Sequence, residues 1–416
     1  MNEKDDIEKR YKALKDVISV SKSEIEKGLE IHEKSIVCDS LCPDPVPYPE
    51  ELIIEINKLH ETGRPMSEIN EKMQTRTEML FSDPIVYETY RDYWNKSGVT
   101  CISHTMNSNS VESAAISISA DNRKIYKFRD LLSRATCVED IIRAKNEEKH
   151  AVLLNFQNTG FLEPKGIGLN ALDIVYGLGI RVIQLTYNLR NYAGDGCTER
   201  YESGLSHFGV EIVEKMNDLH MLVDVGHTGY RSTLDAVEVS KDPIAYTHTA
   251  CKAIYDHPRG KTDEEIKAVS EKDGYMGIVT LPFFLAPGYA GRLPQQDEKG
   301  TLNELLNHID HVVNVANVDT VGIGTDTSVR GNQPDWYRKY LDDRQFQRGF
   351  APPRFWTGWF PGQANLQLDP VPDDWANSWI NWPNITIGLV SRGYSDKEIE
   401  KIIGGNWLRI LKRVIG

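Results

Sequence analysis

The chain reads as an α/β protein built on a closed (β/α)8 barrel of the TIM type. Short runs rich in β-branched residues alternate with longer amphipathic helical patterns from about residue 35 to the end, as strand, loop and helix units of a parallel sheet do. About eight such runs can be counted, which favours a closed barrel over an open doubly wound sheet. The length of 416 residues allows two or three average domains, yet a barrel with insertions uses it as one unit.

Taken in order, residues 1–34 form a charged N-terminal extension in which Ile7, Tyr11, Leu14, Val17 and Ile18 recur at helical spacing. The segment is expected to be an amphipathic helix packed on the main body, and no stretch of it is apolar enough for a signal sequence or a membrane span. The barrel domain, 35–416, then supplies its strands as SIVCDS, GVTCISHT, AVLLNFQNT, RVIQLTYN, MLVDVGHT, PIAYTHTA, YMGIVTLPFF and TVGIGTDTS. Helices between them are visible in GVEIVEKMNDLH and TLNELLNHIDHVVNVAN. Residues 333–383 are an insertion with most of the chain's eight Trp and little periodicity, suited to a lid, a subunit contact or a cover for the barrel. The end of the chain, NITIGLVSRGYSDKEIEKIIGGNWLRILKRV, reads as a segment, a Ser N-cap, a helix, and a Gly-Gly stop before a last helix.

Composition narrows the partners. Hydrophobic residues make up 40% and charged residues 26%, ordinary for a globular protein with a large core. A net charge of -13 disfavours nucleic acid and anionic membranes, because phosphate binding needs a basic surface, so a small molecule is the expected partner. Six cysteines without a CxxC pair fit reduced thiols and a cytoplasmic protein.

In a parallel barrel the chemistry sits at the carboxyl ends of the strands. Those ends carry Asp39, His104, Gln157, Tyr187, His227, His248 and Asp326. Two neighbouring strands that finish on histidine, VDVGHTG and YTHTA, would point both imidazoles into one pocket, and a nearby carboxylate would complete a zinc site. Asp326 in GIGTDTS equally suits a helix cap, so the pattern supports a site and not a reaction. His308 and His311 stand three apart on an outer helix and read as structural, Cys101 and His104 carry no mark of a nucleophile pair, and no glycine motif implies a nucleotide.

Several longer blocks carry a resemblance. GLSHFGVEIVEKMNDLHMLVDVGHTG, IAYTHTA, HPRGKTDEEIKAVSEKDGYMGI, LNHIDHVVNVANVDTVGIGTDTS and VSRGYSDKEIEKIIGGNWLRIL, in that order, resemble the membrane (renal) dipeptidase family, metallopeptidase family M19. The resemblance implies an amidohydrolase-type barrel that hydrolyses dipeptides at a binuclear zinc centre and tends to dimerise. It implies His227 and His248 as ligands of the second zinc, and Arg259 as the fork that holds the substrate's terminal carboxylate. It also implies Asp326 as a ligand of the first zinc and the proton carrier, with Tyr187 and Asn188 against the substrate.

Three departures follow from the same comparison. Where the family has a His-x-Asp pair after the first strand, this chain has Leu41 and Pro43, and a one-residue slip would offer Cys42 and Asp44 instead. Gln157 stands in place of the bridging Glu, and Tyr187 in place of a histidine that contacts substrate, where a phenol can still donate to an oxyanion. The expectation is therefore a dipeptidase-like metallohydrolase with one zinc ion, held by His227, His248 and Gln157 or Asp326, acting on a dipeptide or amino-acid derivative. Asp326, Tyr187 and His248 are its catalytic candidates. Two alternatives stay open: a tautomerase, isomerase or lyase that uses the same residues for proton transfer, with Trp356 and Trp359 walling its pocket, and a binding protein that has lost its metal centre.

Overall fold

The computed structural model describes residues 3–106, 108–286, 302–327 and 379–416. Its strands are β1 (Cys38–Asp39), β2 (Cys101–Thr105), β3 (Leu132–Ala135), β4 (His150–Phe156), β5 (Ile180–Gln184), β6 (Leu222–Asp224), β7 (Ala245–Cys251), β8 (Gly260–Lys261), β9 (Tyr275–Ile278) and β10 (Val321–Ile323). The main path runs β1-β2-β4-β5-β6-β7-β9-β10, every neighbour parallel. Its two ends meet, because Ser40 N–H donates to Ile323 O at 3.0 Å and Asp326 N–H donates to Leu41 O at 2.9 Å. The eight strands so closed are those of the eight apolar runs, and the barrel of the amidohydrolase type is the result. β3 on β4 and β8 on β7 are short additions outside that path, each without an apolar run of its own.

The strands form where the sequence gives nearly unbroken burial. In β4, all positions after His150 are buried, as expected of a strand covered on one side by helices and on the other by the barrel interior. Residues near the amino ends of the strands, among them Cys38, Cys101, Ala151, Val182, Leu222, Ala245 and Tyr275, cluster with Trp407, Ile410, Leu411 and Val414 of the last helix. That helix plugs the amino end of the barrel, so the polar strand ends lie at the opposite mouth.

Two elements differ from the sequence reading. The N-terminal extension is two helices, Glu3–Leu14 and Lys22–Lys34, because Ser21 and Glu24 form a capping box that starts the second. The second helix packs on the helix Pro383–Ser391, with the His32 ring nitrogens bonded to Thr386 Oγ1 and Ser97 O, each at 2.8 Å. Gly404 and Gly405 do not stop a helix: they lie in a π-helical turn, Lys401–Gly405, that joins Asp396–Glu400 directly to Asn406–Val414. A Cβ on Gly404 would meet Ile36 O at 2.0 Å, so this glycine serves the close approach of the helical turn to the strand-entry backbone.

The aromatic-rich stretch 333–383, with Trp356 and Trp359, lies outside the described residues up to residue 378. Its end is described: the indoles of Trp379 and Trp382 donate to Asp39 Oδ2 at 3.1 and 3.4 Å. All six cysteines are free, and no described helix is long and apolar enough to cross a membrane.

Candidate metal centre

The mouth of the barrel brings His227, three residues past the end of β6, against His248 inside β7, and their Nε2 atoms lie 2.8 Å apart. Both residues are buried, with 2% and 0% of their surface exposed. The partners of the other ring nitrogens fix which way each imidazole is protonated. Asp224, at the end of β6, accepts the N–H of Gly226 and of Thr247 on Oδ1 and the Thr247 hydroxyl on Oδ2, the last at 2.6 Å. With its one proton so committed, Thr247 Oγ1 accepts from His248 Nδ1 at 2.9 Å. Asn188 Oδ1, which also accepts from the Cys197 thiol, takes the Nδ1 proton of His227 at 2.6 Å.

Each neutral ring carries one proton, and both protons are on Nδ1, so two Nε2 lone pairs face one another. Lone pairs at that distance repel unless a positive charge serves both. Burial, followed by the Arg259 guanidinium, pushes both imidazoles well below the ordinary histidine value, which opposes filling the gap with a proton. The donor set therefore fits a zinc ion, whose usual histidine ligands are neutral and held by such outer hydrogen bonds. Asp224 and Thr247 were not singled out in the sequence, although both stand in the quoted strand-end motifs. The signal was an aspartate inside a buried strand, a position that requires hydrogen-bond donors.

The remaining expected residues are placed as follows. Arg259, 1% exposed, donates through Nη1 to Gly226 O and through Nη2 to His248 O at 2.8 Å, so it ties together the two segments that bear the histidines. Its buried Nε has no hydrogen-bond partner among the described residues. Tyr187 stacks on His227, ring centroids 4.1 Å apart and planes 19° apart. Its phenol is kept protonated by desolvation and by the Asp326 carboxylate. The charge of Asp326 acts on Arg259 as well. Asp326 has φ +50°, a left-handed backbone that aspartate adopts more readily than most residues.

Asn188, expected against the substrate, bonds His227 through Oδ1, and its buried Nδ2 has no partner among the described residues. Gln157 donates from Nε2 to Thr105 Oγ1 at 3.0 Å, and among the described residues it makes no hydrogen bond to the histidine pair. Cys42 and Asp44 both have hydrogen-bond partners close by. The Cys42 thiol, pushed up by burial and by Asp39, donates to Thr327 O at 3.3 Å, and Asp44 pairs with Lys124 and Tyr90. Leu41 is buried and non-coordinating, and Asp39 is consumed by Thr325 N–H at 2.9 Å, the Thr325 hydroxyl at 2.6 Å and the two indoles. His308 accepts from Cys251 N–H and bonds Leu285 O, a packing role.

A closed parallel barrel with paired imidazoles at its carboxyl end has the architecture of the amidohydrolase-like class. Within it, the chain belongs to the membrane dipeptidase family, peptidase family M19, whose model matches residues 31–337. It is 29% identical over 214 residues to an uncharacterized dipeptidase of Schizosaccharomyces pombe, covering 50% of this chain and 49% of that protein. With Dipeptidase tcpJ of Claviceps purpurea it shares 25% identity over 292 residues, 69% of this chain and 56% of the relative. The chain spans about half the length of these fungal relatives. An amidohydrolase from Pseudomonas aeruginosa superposes with a TM-score of 0.67 at 26% identity, covering 93% of this chain and 98% of that one. The M19 dipeptidase AC shares the fold with a TM-score of 0.64 at 15% identity, covering 92% and 99% of the two chains.

Proposed function

We propose that this chain is a metallohydrolase of dipeptides or closely related small amides that works with one zinc ion. The facing Nε2 atoms of His227 and His248 carry the reading, because a shared cation satisfies both in a site that resists protonation. His227 and His248 would hold the ion, with Asn188 and the Thr247–Asp224 pair keeping both rings in the binding tautomer. Zinc in that position supplies Lewis acidity.

The surrounding residues do the rest. Asp326 takes and returns the proton at its carboxylate, beside the Tyr187 phenol, which stays protonated and donates to the oxygen on which negative charge develops. The Arg259 Nε–H faces the carboxylate end of the substrate while its Nη groups keep the histidine segments in register. One ion is the expected number because Leu41 and Pro43 offer no ligand atom and Gln157 offers a neutral amide held by Thr105.

The test is metal content by plasma mass spectrometry on chain purified without chelator and again after loading with Zn²⁺, followed by a dipeptide library. About one ion per chain, lost in His227→Ala/His248→Ala, together with release of free amino acids supports the reading. A loaded sample that keeps no metal sinks it. Metal without cleavage, but with deuterium exchange from solvent into a candidate substrate, transfers the site to proton-transfer chemistry.

A further inference from the structure

A second polar cluster lies where the segment after β1 meets the helix Val111–Lys127. Asp121 and Lys124, one turn apart on that helix, both face inward with 5% and 4% of their surface exposed. The Lys124 ammonium donates to Asp44 Oδ2 and to Asp121 Oδ1. Tyr90 donates to Asp44 Oδ1 at 2.7 Å, and Asp44 N–H donates to His104 Nδ1 at 3.2 Å near the end of β2. His104 Nδ1 also lies 3.5 Å from Cys42 O, and its Nε2 lies 4.0 Å from Asp121 Oδ1.

Asp44, His104 and Asp121 each present one ligand atom, all within 4.8 Å of one another, which is the spacing and donor type of a nitrogen and oxygen metal site. Asp121 Oδ2 is buried and has no hydrogen-bond partner among the described residues, so the cluster has coordinating capacity to spare. An ammonium, however, bridges the two carboxylates. Burial is the largest influence on Lys124 and opposes its charge, but the Asp121 and Asp44 carboxylates outweigh it and raise its pKa above the ordinary value.

We propose that Lys124 is the resident cation of a latent metal site, and that its ammonium does among Asp44, Asp121 and His104 what a divalent ion would do, fixing the segment that follows β1. A tethered cation is always present and independent of metal supply, at the cost of half the charge. The loop that supplies zinc ligands in the resemblance drawn above is thereby held in shape without zinc. The inference is independent of the histidine pair, and its test is made in a His227→Ala/His248→Ala background so that any ion counted belongs to this cluster.

In that background Lys124→Met, Lys124→Arg and Lys124→Met/Asp121→Asn are loaded with Zn²⁺ or Mn²⁺, freed of excess, and read by plasma mass spectrometry and by melting temperature with and without metal. Lys124→Met is expected to gain about one ion per chain and a metal-dependent rise in melting temperature. Lys124→Arg is expected to gain none, and Asp121→Asn to abolish the gain. The proposal is overturned if folded Lys124→Met gains no ion, or if it fails to fold even with metal present. It is equally overturned if the parent, with Lys124 intact, already holds an ion that Asp121→Asn removes.

Discussion

His227 and His248 are oriented by neighbours that never need to touch a substrate. Replacing Asn188 by alanine frees the His227 ring to turn or change tautomer, and zinc affinity should fall roughly 10–100-fold, the usual effect of losing an outer hydrogen bond on a metal ligand. Chelator competition measures it, and unchanged affinity would remove Asn188 from the site. Arg259→Lys retains a positive charge but loses the fork that spans Gly226 O and His248 O. A loss of about 2 kcal/mol in urea denaturation is expected, since a buried carbonyl is left without its donor. The histidines and Asp326 were singled out by strand-end position and residue type, and Arg259 by the family resemblance. Thr247 and Lys124 were not, because a threonine hydroxyl's direction and a lysine's reach from a helix to a distant loop depend on packing that the local pattern does not carry.

At the scale of elements, β7 is the strand that shapes the site. Its register against β9 shifts between Tyr246 and Thr249, and the irregularity turns the Thr247 carbonyl into the barrel while His248 faces the mouth. Ser40 Oγ donates to that carbonyl at 2.6 Å, and Gly277 in β9 and Gly324 just past β10 make room for it. A Cβ on Gly324 would stand 1.9 Å from Thr247 O, and one on Gly277 would stand 2.2 Å from it. Gly324→Ala should therefore cost about 2–4 kcal/mol, by overpacking against backbone that cannot yield, and should weaken zinc binding through His248. Wild-type values on both counts would show that the bulge is not held by this contact. The eight barrel strands were legible as apolar runs, whereas this register shift was not, since one extra residue in a strand leaves its composition unchanged. The π-helical turn at Gly404 misled for a related reason: a pair of glycines signals a helix end, and only the approach of Ile36 O shows that they serve contact.

The molecule as a whole should be acid-labile. His32, His150 and His308 are pushed down to about 4 by burial. Unfolded, each returns to a value near 6.5, so between about pH 6.5 and 4 the unfolded chain binds more protons and stability falls as pH falls, by on the order of 2–3 kcal/mol per histidine across the window. Asp39 acts in the opposite sense. Burial, opposed by its four donors, pushes its carboxyl up to about 6, so the folded state gains stability as pH drops from about 6 to 4 and offsets roughly one histidine. A urea midpoint that declines from pH 7 to pH 4.5 is the expected net result, and Asp39→Asn should steepen the decline. The barrel seam that Asp39 anchors has a further consequence for how the chain is made. Ser40 bonds Ile323, 283 positions downstream, and the donors to Asp39 stand 286 to 343 residues downstream. During synthesis the first barrel strand must wait until residues 323 to 382 have left the ribosome. The seam that closes last is where a nascent chain stays open to chaperones and proteases longest.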